Sequence, residues 1–264
     1  MPVARRLPPS QSARVNAIDL SADVGEGFDD TELVPLLTSV NVSCGGHAGS
    51  WPAIRATLAR ARDLGLAIGA HPSLPDREGF GRRLTTRDPA AIAALVEAQI
   101  RALADAAARL GSALTHVKPH GALYDFCLWD GDLAGTLCAA IARVDSRLAL
   151  VAPAGSPAIE VAHASGLASI AEAFADRAYR ADGRLVSRTE PGALLLDATR
   201  VAARAVALAR GEPIPTHDGG MLRLAPATLC LHGDTPDAPA LARAVRDALV
   251  AAASVPRRAL PARA

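Results

Sequence analysis

Lysine is nearly missing from this chain. Lys118 is the only one, and arginine supplies every other basic side chain. A lysine kept among so many arginines marks a place that wants a compact ammonium rather than a planar fork. Aromatic residues are scarce at 3%, so Ala, Leu, Val and Ile must build the core. An excess of one charge sign is missing too: the net charge is +1 and the arginines are scattered among acids, which argues against nucleic acid as a partner. No apolar run is long enough to span a bilayer, so no membrane segment is expected. Cys44, Cys127, Cys138 and Cys230 form no C-x-x-C pair, which excludes a zinc ribbon or thioredoxin motif. Reduced cysteines in the cytoplasm are the default expectation. Residues 1–15 lack the apolar stretch of a secretory signal and read as a disordered leader.

Several catalytic signatures are also missing. There is no Walker A sequence, no Gly-rich dinucleotide fingerprint after a strand, no H-E-x-x-H and no G-x-S-x-G. A self-contained P-loop ATPase, a Rossmann dehydrogenase, a zincin and an α/β-hydrolase all lose support.

What the chain does contain is alternation. Short apolar strands are expected at Asn16–Leu20, Val40–Ser43, Leu66–Gly69, Leu114–Val117, Leu148–Ala152, Ala168–Ala171, Ala193–Leu196 and Thr228–Leu231. Helices are expected at Asp29–Thr38, from the Ser50 cap to Leu64, from the Asp88 cap to Gly111, and at Asp132–Val144, Ser156–Ser165 and Ala198–Ala209, with a last one from Ala238. A long polar loop runs from Phe174 to Pro191. Strands alternating with amphipathic helices imply a parallel sheet with helices outside. About seven such units imply a closed (β/α) barrel of TIM type, in one domain over 16–252 with a flexible tail over 253–264. An open doubly wound sheet is the alternative.

In such barrels the functional face lies at the carboxyl ends of the strands. Ionisable groups recur there: Asp23 and Glu26, then Asn41, Cys44 and His47, then His71 and Asp76, then Lys118, His120 and Tyr124. Later strands add Glu172, Asp176 and Arg177, and finally His232 and Asp234. These are expected to share one rim. Arg82 and Arg83 suit a carboxylate or phosphate, with a solvated pair as the bland alternative. Arg177, Arg180, Arg184 and Arg188 make the long loop a candidate anion-binding lid. His116 and His163 read as structural and His217 as solvated.

Seven stretches carry a resemblance: Asp19-Leu-Ser-Ala-Asp-Val-Gly-Glu26, Asn41-Val-Ser-Cys-Gly-Gly-His-Ala-Gly49, Gly69-Ala-His-Pro-Ser-Leu-Pro-Asp76, Gly79-Phe-Gly-Arg-Arg83, His116-Val-Lys-Pro-His-Gly-Ala-Leu-Tyr124, Glu172-Ala-Phe-Ala-Asp-Arg177 and Cys230-Leu-His-Gly-Asp234. Together, and in this order, they resemble the LamB/YcsF family, whose characterised members are the A-type component of the bacterial ATP-dependent 5-oxoprolinase. Ser21 and Ala22 stand where that family usually has Asn and Cys, and Gly46 where it has an aromatic, so a thiol role at position 22 is not expected.

The resemblance implies a seven-stranded barrel related to the glycoside hydrolase and deacetylase fold. It implies hydrolysis of 5-oxoproline to glutamate coupled to ATP, with two partner subunits of B and C type. ATP acts through the complex, and this chain is expected to open an activated, phosphorylated lactam. The expected catalytic groups are Asp23, Lys118, His120 and Glu172, with Asp23 or His120 as general base. Glu26, Asn41, His47, His71, Arg82, Tyr124, Asp176, Arg177, His232 and Asp234 are expected to bind substrate. Two rival readings stay open. One is a metal-dependent amide or ester hydrolase with Asp23, His47 and His71 as candidate ligands. The other is a non-catalytic subunit that binds substrate for its partners.

Overall fold

A computed structural model describes residues 17–254 and 256–259. The leader expected over residues 1–15 lies outside the described residues, as do residues 255 and 260–264 of the expected tail. Seven parallel strands close into a barrel: β1 (Asp19–Val24), β2 (Ser39–Ser43), β3 (Ala67–His71), β4 (His116–Val117), β5 (Ala149–Pro153), β6 (Ala168–Phe174) and β9 (Thr228–His232), with β9 returning to pair β1. Strands β7 (Ile214–Pro215) and β8 (Met221–Leu222) form a small separate hairpin. The helices are α1 (Trp51–Asp63), α2 (Pro89–Arg109), α3 (Ala122–Asp125), α4 (Gly131–Val144), α5 (Pro157–Ala164), α6 (Ala198–Ala209) and α7 (Ala238–Ala251). No described helix is long and apolar enough to cross a membrane.

The caps read from the sequence form. Ser50 accepts the Ala53 N–H at the start of α1, and Asp88 accepts the Ala90 N–H at the start of α2. In each helix a proline in the first turn sits where its missing N–H costs nothing.

Two expected elements differ. The segment Asp29–Thr38 holds only a 3-10 turn at Val34–Leu36, not a helix. The stretch Ala193–Leu196 is not a barrel strand; Leu194 makes one antiparallel bridge to Arg177 inside the long loop. That loop, residues 175–197, folds over its own small core of Ala178, Val186 and Ala193 and covers the barrel mouth.

Strands β1, β3 and β6 run well past their expected carboxyl ends, to Val24, His71 and Phe174, for one reason. The barrel interior carries polar side chains, with an apolar patch of Ala149, Val151, Ala168 and Ile170 confined to β5 and β6. Along β1, Leu20, Ala22 and Val24 pack in the main apolar core, while Asp19, Ser21 and Asp23 alternate with them and face inward. Asp19 accepts hydroxyl bonds from Thr38, Ser39 and Thr228. A polar residue within a strand reads as a loop when the interior is assumed apolar. That assumption places Asp23 and Glu172 past the ends of strands that contain them.

Candidate active site

At the upper, carboxyl end of the barrel the inward residues become charged. Asp23 on β1 sits beside Asn41 on β2 and His232 on β9 in the strand register. The Lys118 side chain, just past β4, rises into the same space and is 2% exposed. Its Nζ donates to Asp23 Oδ1 at 2.9 Å and to Cys230 Sγ at 3.0 Å, and lies 3.0 Å from Glu172 Oε1. The ring of Phe174 lies beneath the ammonium, with Nζ 4.9 Å from its centroid. Burial alone would discharge Lys118, but Asp23 and Glu172 outweigh it and hold the ammonium well above its ordinary pKa. Burial likewise opposes the Asp23 charge, and His71 and Lys118 outweigh it, so Asp23 stays ionised. Glu172 is shifted upward, because burial exceeds what Lys118 returns. Neither Glu172 oxygen has a well-aligned donor, and the buried Tyr124 hydroxyl beside it has no well-aligned partner either.

Next to this ion cluster stands a box of imidazoles. His71 donates Nδ1–H to the Lys118 carbonyl at 2.7 Å. His120 donates Nε2–H to the Phe80 carbonyl at 2.8 Å. Those carbonyls can only accept, so they fix both tautomers. The remaining nitrogens, His71 Nε2 and His120 Nδ1, face each other at 2.9 Å. Two lone pairs cannot meet at that distance, so without an ion there a proton must bridge the two rings, and His71, beside Asp23, is the one favoured to carry it. Its pKa is raised accordingly: burial opposes the charge and Asp23, 3.4 Å from Nε2, overcomes it. His120 is pushed well below its ordinary value by burial and by His71. His47 stacks on His120 at 3.7 Å and meets Glu26 Oε1 at 2.8 Å. Burial drives His47 down to about 3 and Glu26 up to about 8.

Local chain geometry makes the box possible. Phe80 takes a positive φ of 54° between two glycines, which turns its carbonyl toward His120. A side chain at Gly81 would collide with His120 and His47.

The charged floor opens into a cavity of about 500 Å³, the size of a small-molecule site. Asp23, Glu26, His71, Arg82, Lys118, His120, Tyr124, Arg177, His232 and Asp234 line it, so most of the expected rim does converge. Arg82, from the loop after β3, and Arg188, from the long loop, both pair with Asp234 at 2.9 and 3.0 Å. Arg177 is buried, donates to the Val186 carbonyl at 2.7 Å and leaves its Nε unpartnered.

Four expected substrate or catalytic groups stand behind this surface instead of on it. Glu172 supports Lys118, and His47 supports Glu26. Asp176 accepts from His232, at 3.1 Å, and from the Thr235 hydroxyl. Asn41 is 1% exposed and spends both ends of its amide: it donates to Asp23 Oδ1 and accepts from His116 Nε2–H, each at 2.9 Å. These two bonds hold Asn41 against Asp23, beneath the cavity surface. Among metal candidates, Asp23 is committed to Lys118 and Asn41, and the convergent donors are Glu26, His47, His71 and His120. Arg83 is bound to Asp76 and not directed at the cavity.

Sequence reasoning undervalued His116, which reaches Asn41 only because Gly69 opposite it has no side chain. It also missed Cys230 as a Lys118 acceptor and the Phe80 carbonyl. The doubled glycine around Phe80 was the one signal for the latter.

Residues 18–261 match the sequence profile of the LamB/YcsF family. The chain belongs to that family. LamB/YcsF relatives are close along nearly their whole length. One from Chloroflexus aggregans, named as the A-type component of 5-oxoprolinase, is 46% identical, over 89% of this chain and 96% of its own. Another of the same name, from Bordetella pertussis, is 44% identical, over 88% of this chain and 95% of its own. The crystal structure of a lactam utilization protein from Thermus thermophilus superposes with a TM-score of 0.84 at 39% identity, covering 91% of this chain and 99% of that one.

Proposed function

We propose that this chain is the ring-opening subunit of an ATP-dependent 5-oxoprolinase that works with two partner subunits. The names of its relatives and their end-to-end match support the lactam reading. The observation that carries it here is the buried Asp23–Lys118–Glu172 cluster at the base of a cavity with Arg82, Arg177 and Arg188 around it. A five-membered lactam is a stable amide, and opening it against equilibrium requires coupling to ATP. Phosphorylating the lactam oxygen makes the ring carbon electrophilic. The chain carries no Walker A sequence, which supports assigning that phosphorylation to the partners.

The arginines hold the substrate carboxylate and the phosphoryl oxygens through charge-assisted hydrogen bonds. Lys118, held at the cavity floor by Asp23 and Cys230, offsets the negative charge that builds on the substrate and the departing phosphate through its buried positive charge. Water attacks that carbon from the side of Glu26, His71 and His120. The proton that water gives up goes to the ring nitrogen as the C–N bond breaks, which leaves an acyl phosphate; a second water then displaces phosphate from the same carbon, so glutamate and inorganic phosphate are released. Asp23 is not the base, because its oxygens are engaged by Lys118 and Asn41. His120 has no free nitrogen while His71 holds the bridging proton. Asp23 and His120 therefore act by holding Lys118 and His71 in place.

Reconstitution tests the proposal. The purified chain alone should show no ATP hydrolysis dependent on 5-oxoproline, and adding the two partners should give ATP-dependent glutamate release. Full activity of the isolated chain would overturn the division of labour. Undiminished release from a complex carrying Lys118→Met would leave only a substrate-binding role.

A further inference from the structure

The imidazole box has a property that the lactam reading does not use. Its tautomers are fixed from outside. The Lys118 carbonyl holds His71 Nδ1–H and the Phe80 carbonyl holds His120 Nε2–H. Both rings therefore turn lone pairs inward, to the same point. A third acceptor, Glu26 Oε1, lies 3.7 Å from His71 Nε2 and 3.6 Å from His120 Nδ1. His47 closes the group, its Nε2 2.8 Å from that same oxygen. All four donor atoms lie within 4.8 Å of one another, and all four residues are buried. Such a convergence of acceptors demands a cation at its centre. In the arrangement described, one proton between His71 and His120 supplies it.

We propose that this box is a binding site for one divalent transition-metal ion, held by Glu26, His47, His71 and His120. The ion takes the place of the bridging proton. Donor spacings of 2.8–4.8 Å bracket the roughly 3.3 Å expected between ligands of a tetrahedral ion with bonds of about 2.0–2.1 Å. Small side-chain rotations equalise them. Three imidazoles and one carboxylate select zinc or a neighbouring first-row ion over magnesium or calcium, which prefer all-oxygen sites. A metal-binding histidine usually donates its other N–H to a carbonyl or carboxylate, and His71 and His120 already do so. Asp23 lies between His71 and Lys118 and screens the ion from the ammonium. Glu26, His71 and His120 line the cavity, so the ion would face an incoming ligand.

The proposal does not rest on the lactam reaction, and its test reads metal binding alone. The full-length chain is stripped with a chelator, dialysed and titrated with Co²⁺ while the visible ligand-field bands are recorded. Zn²⁺ titration by calorimetry follows. The expected result is one equivalent per chain and intense Co²⁺ bands typical of a four- or five-coordinate ion. His71→Ala and His120→Ala should each weaken binding by at least about 100-fold, since losing a ligand costs more than losing a partner behind it. His163→Ala, remote on α5, should leave it unchanged. Absence of bands and heat in the unmutated chain overturns the proposal without reference to any variant. So does binding that survives both His71→Ala and His120→Ala.

Discussion

The Lys118 ammonium donates to Asp23 and to Cys230 and forms an ion pair with Glu172 at 3.0 Å, all from different directions. A tetrahedral ammonium matches that arrangement and a planar guanidinium does not, which explains a single lysine in an arginine-rich chain. Lys118→Arg should therefore behave as a loss, not as a conservative change. Lys118→Met leaves two buried carboxyl groups without their cation, which should cost about 3–5 kcal/mol of stability. In the reconstituted complex it should lower kcat by at least about 100-fold, by removing the buried positive charge at the cavity floor. Urea unfolding and initial rates check the two effects separately. His116 teaches a related lesson. A histidine inside a strand is structural by default, yet this one fixes Asn41 and through it Asp23. Its pKa, lowered to about 4 by burial and by Lys118, keeps it neutral and able to accept from Thr115.

At the scale of elements, the loop after β3 shows how a turn is built to serve a site. Asp76 accepts from the Gly79 and Arg83 N–H groups at 2.9 and 3.2 Å and binds the Arg83 guanidinium. That closes the turn carrying Phe80 and Arg82. The Arg83 hydrogen bonds hold the Asp76 carboxyl down at about 2, below the ordinary 3.8. A depressed carboxyl favours the folded state above its unfolded pKa and loses that contribution as it protonates. Stability assignable to Asp76 should therefore be full above about pH 4 and fade as pH falls toward 2. Asp76→Asn should lower the urea midpoint at neutral pH and flatten the acid limb of the stability curve, which unfolding across that range would reveal. The long loop after β6 makes the complementary point. Its charges look like an ordinary solvated surface in sequence, yet Arg177, Arg188 and the small core around Val186 fold it over the mouth.

For the whole molecule, Arg82, Asp234 and Arg188 join three loops across the cavity. Removing one partner of a partly exposed pair costs roughly 1 kcal/mol, equivalent to about fivefold in local opening. Arg188→Ala should thus speed amide exchange across residues 175–197 by about that factor and raise KM more than it lowers kcat. Hydrogen exchange with and without substrate, beside steady-state rates, checks both parts. Residues 256–259 also join the barrel: Pro256 bridges Ile18, and the Arg257 N–H donates to the Ile18 carbonyl at 2.9 Å.

The amino-acid order by itself determined the βα alternation, the capped helices α1 and α2, and the gathering of ionisable groups toward one end of the strands. Those features depend on local periodicity and on Ser, Asp, Pro and Gly at fixed offsets, which act within a few residues. Only the tertiary structure decided that the barrel interior carries polar side chains, so that Asp23 and Glu172 belong to strands. It alone showed Asn41 spent on Asp23, and two carbonyls far apart in sequence setting the tautomers of His71 and His120. Those facts depend on which side chains meet across a closed barrel, and closure brings together residues as distant as Asp23 and Cys230. Spacing along the chain carries no record of that meeting.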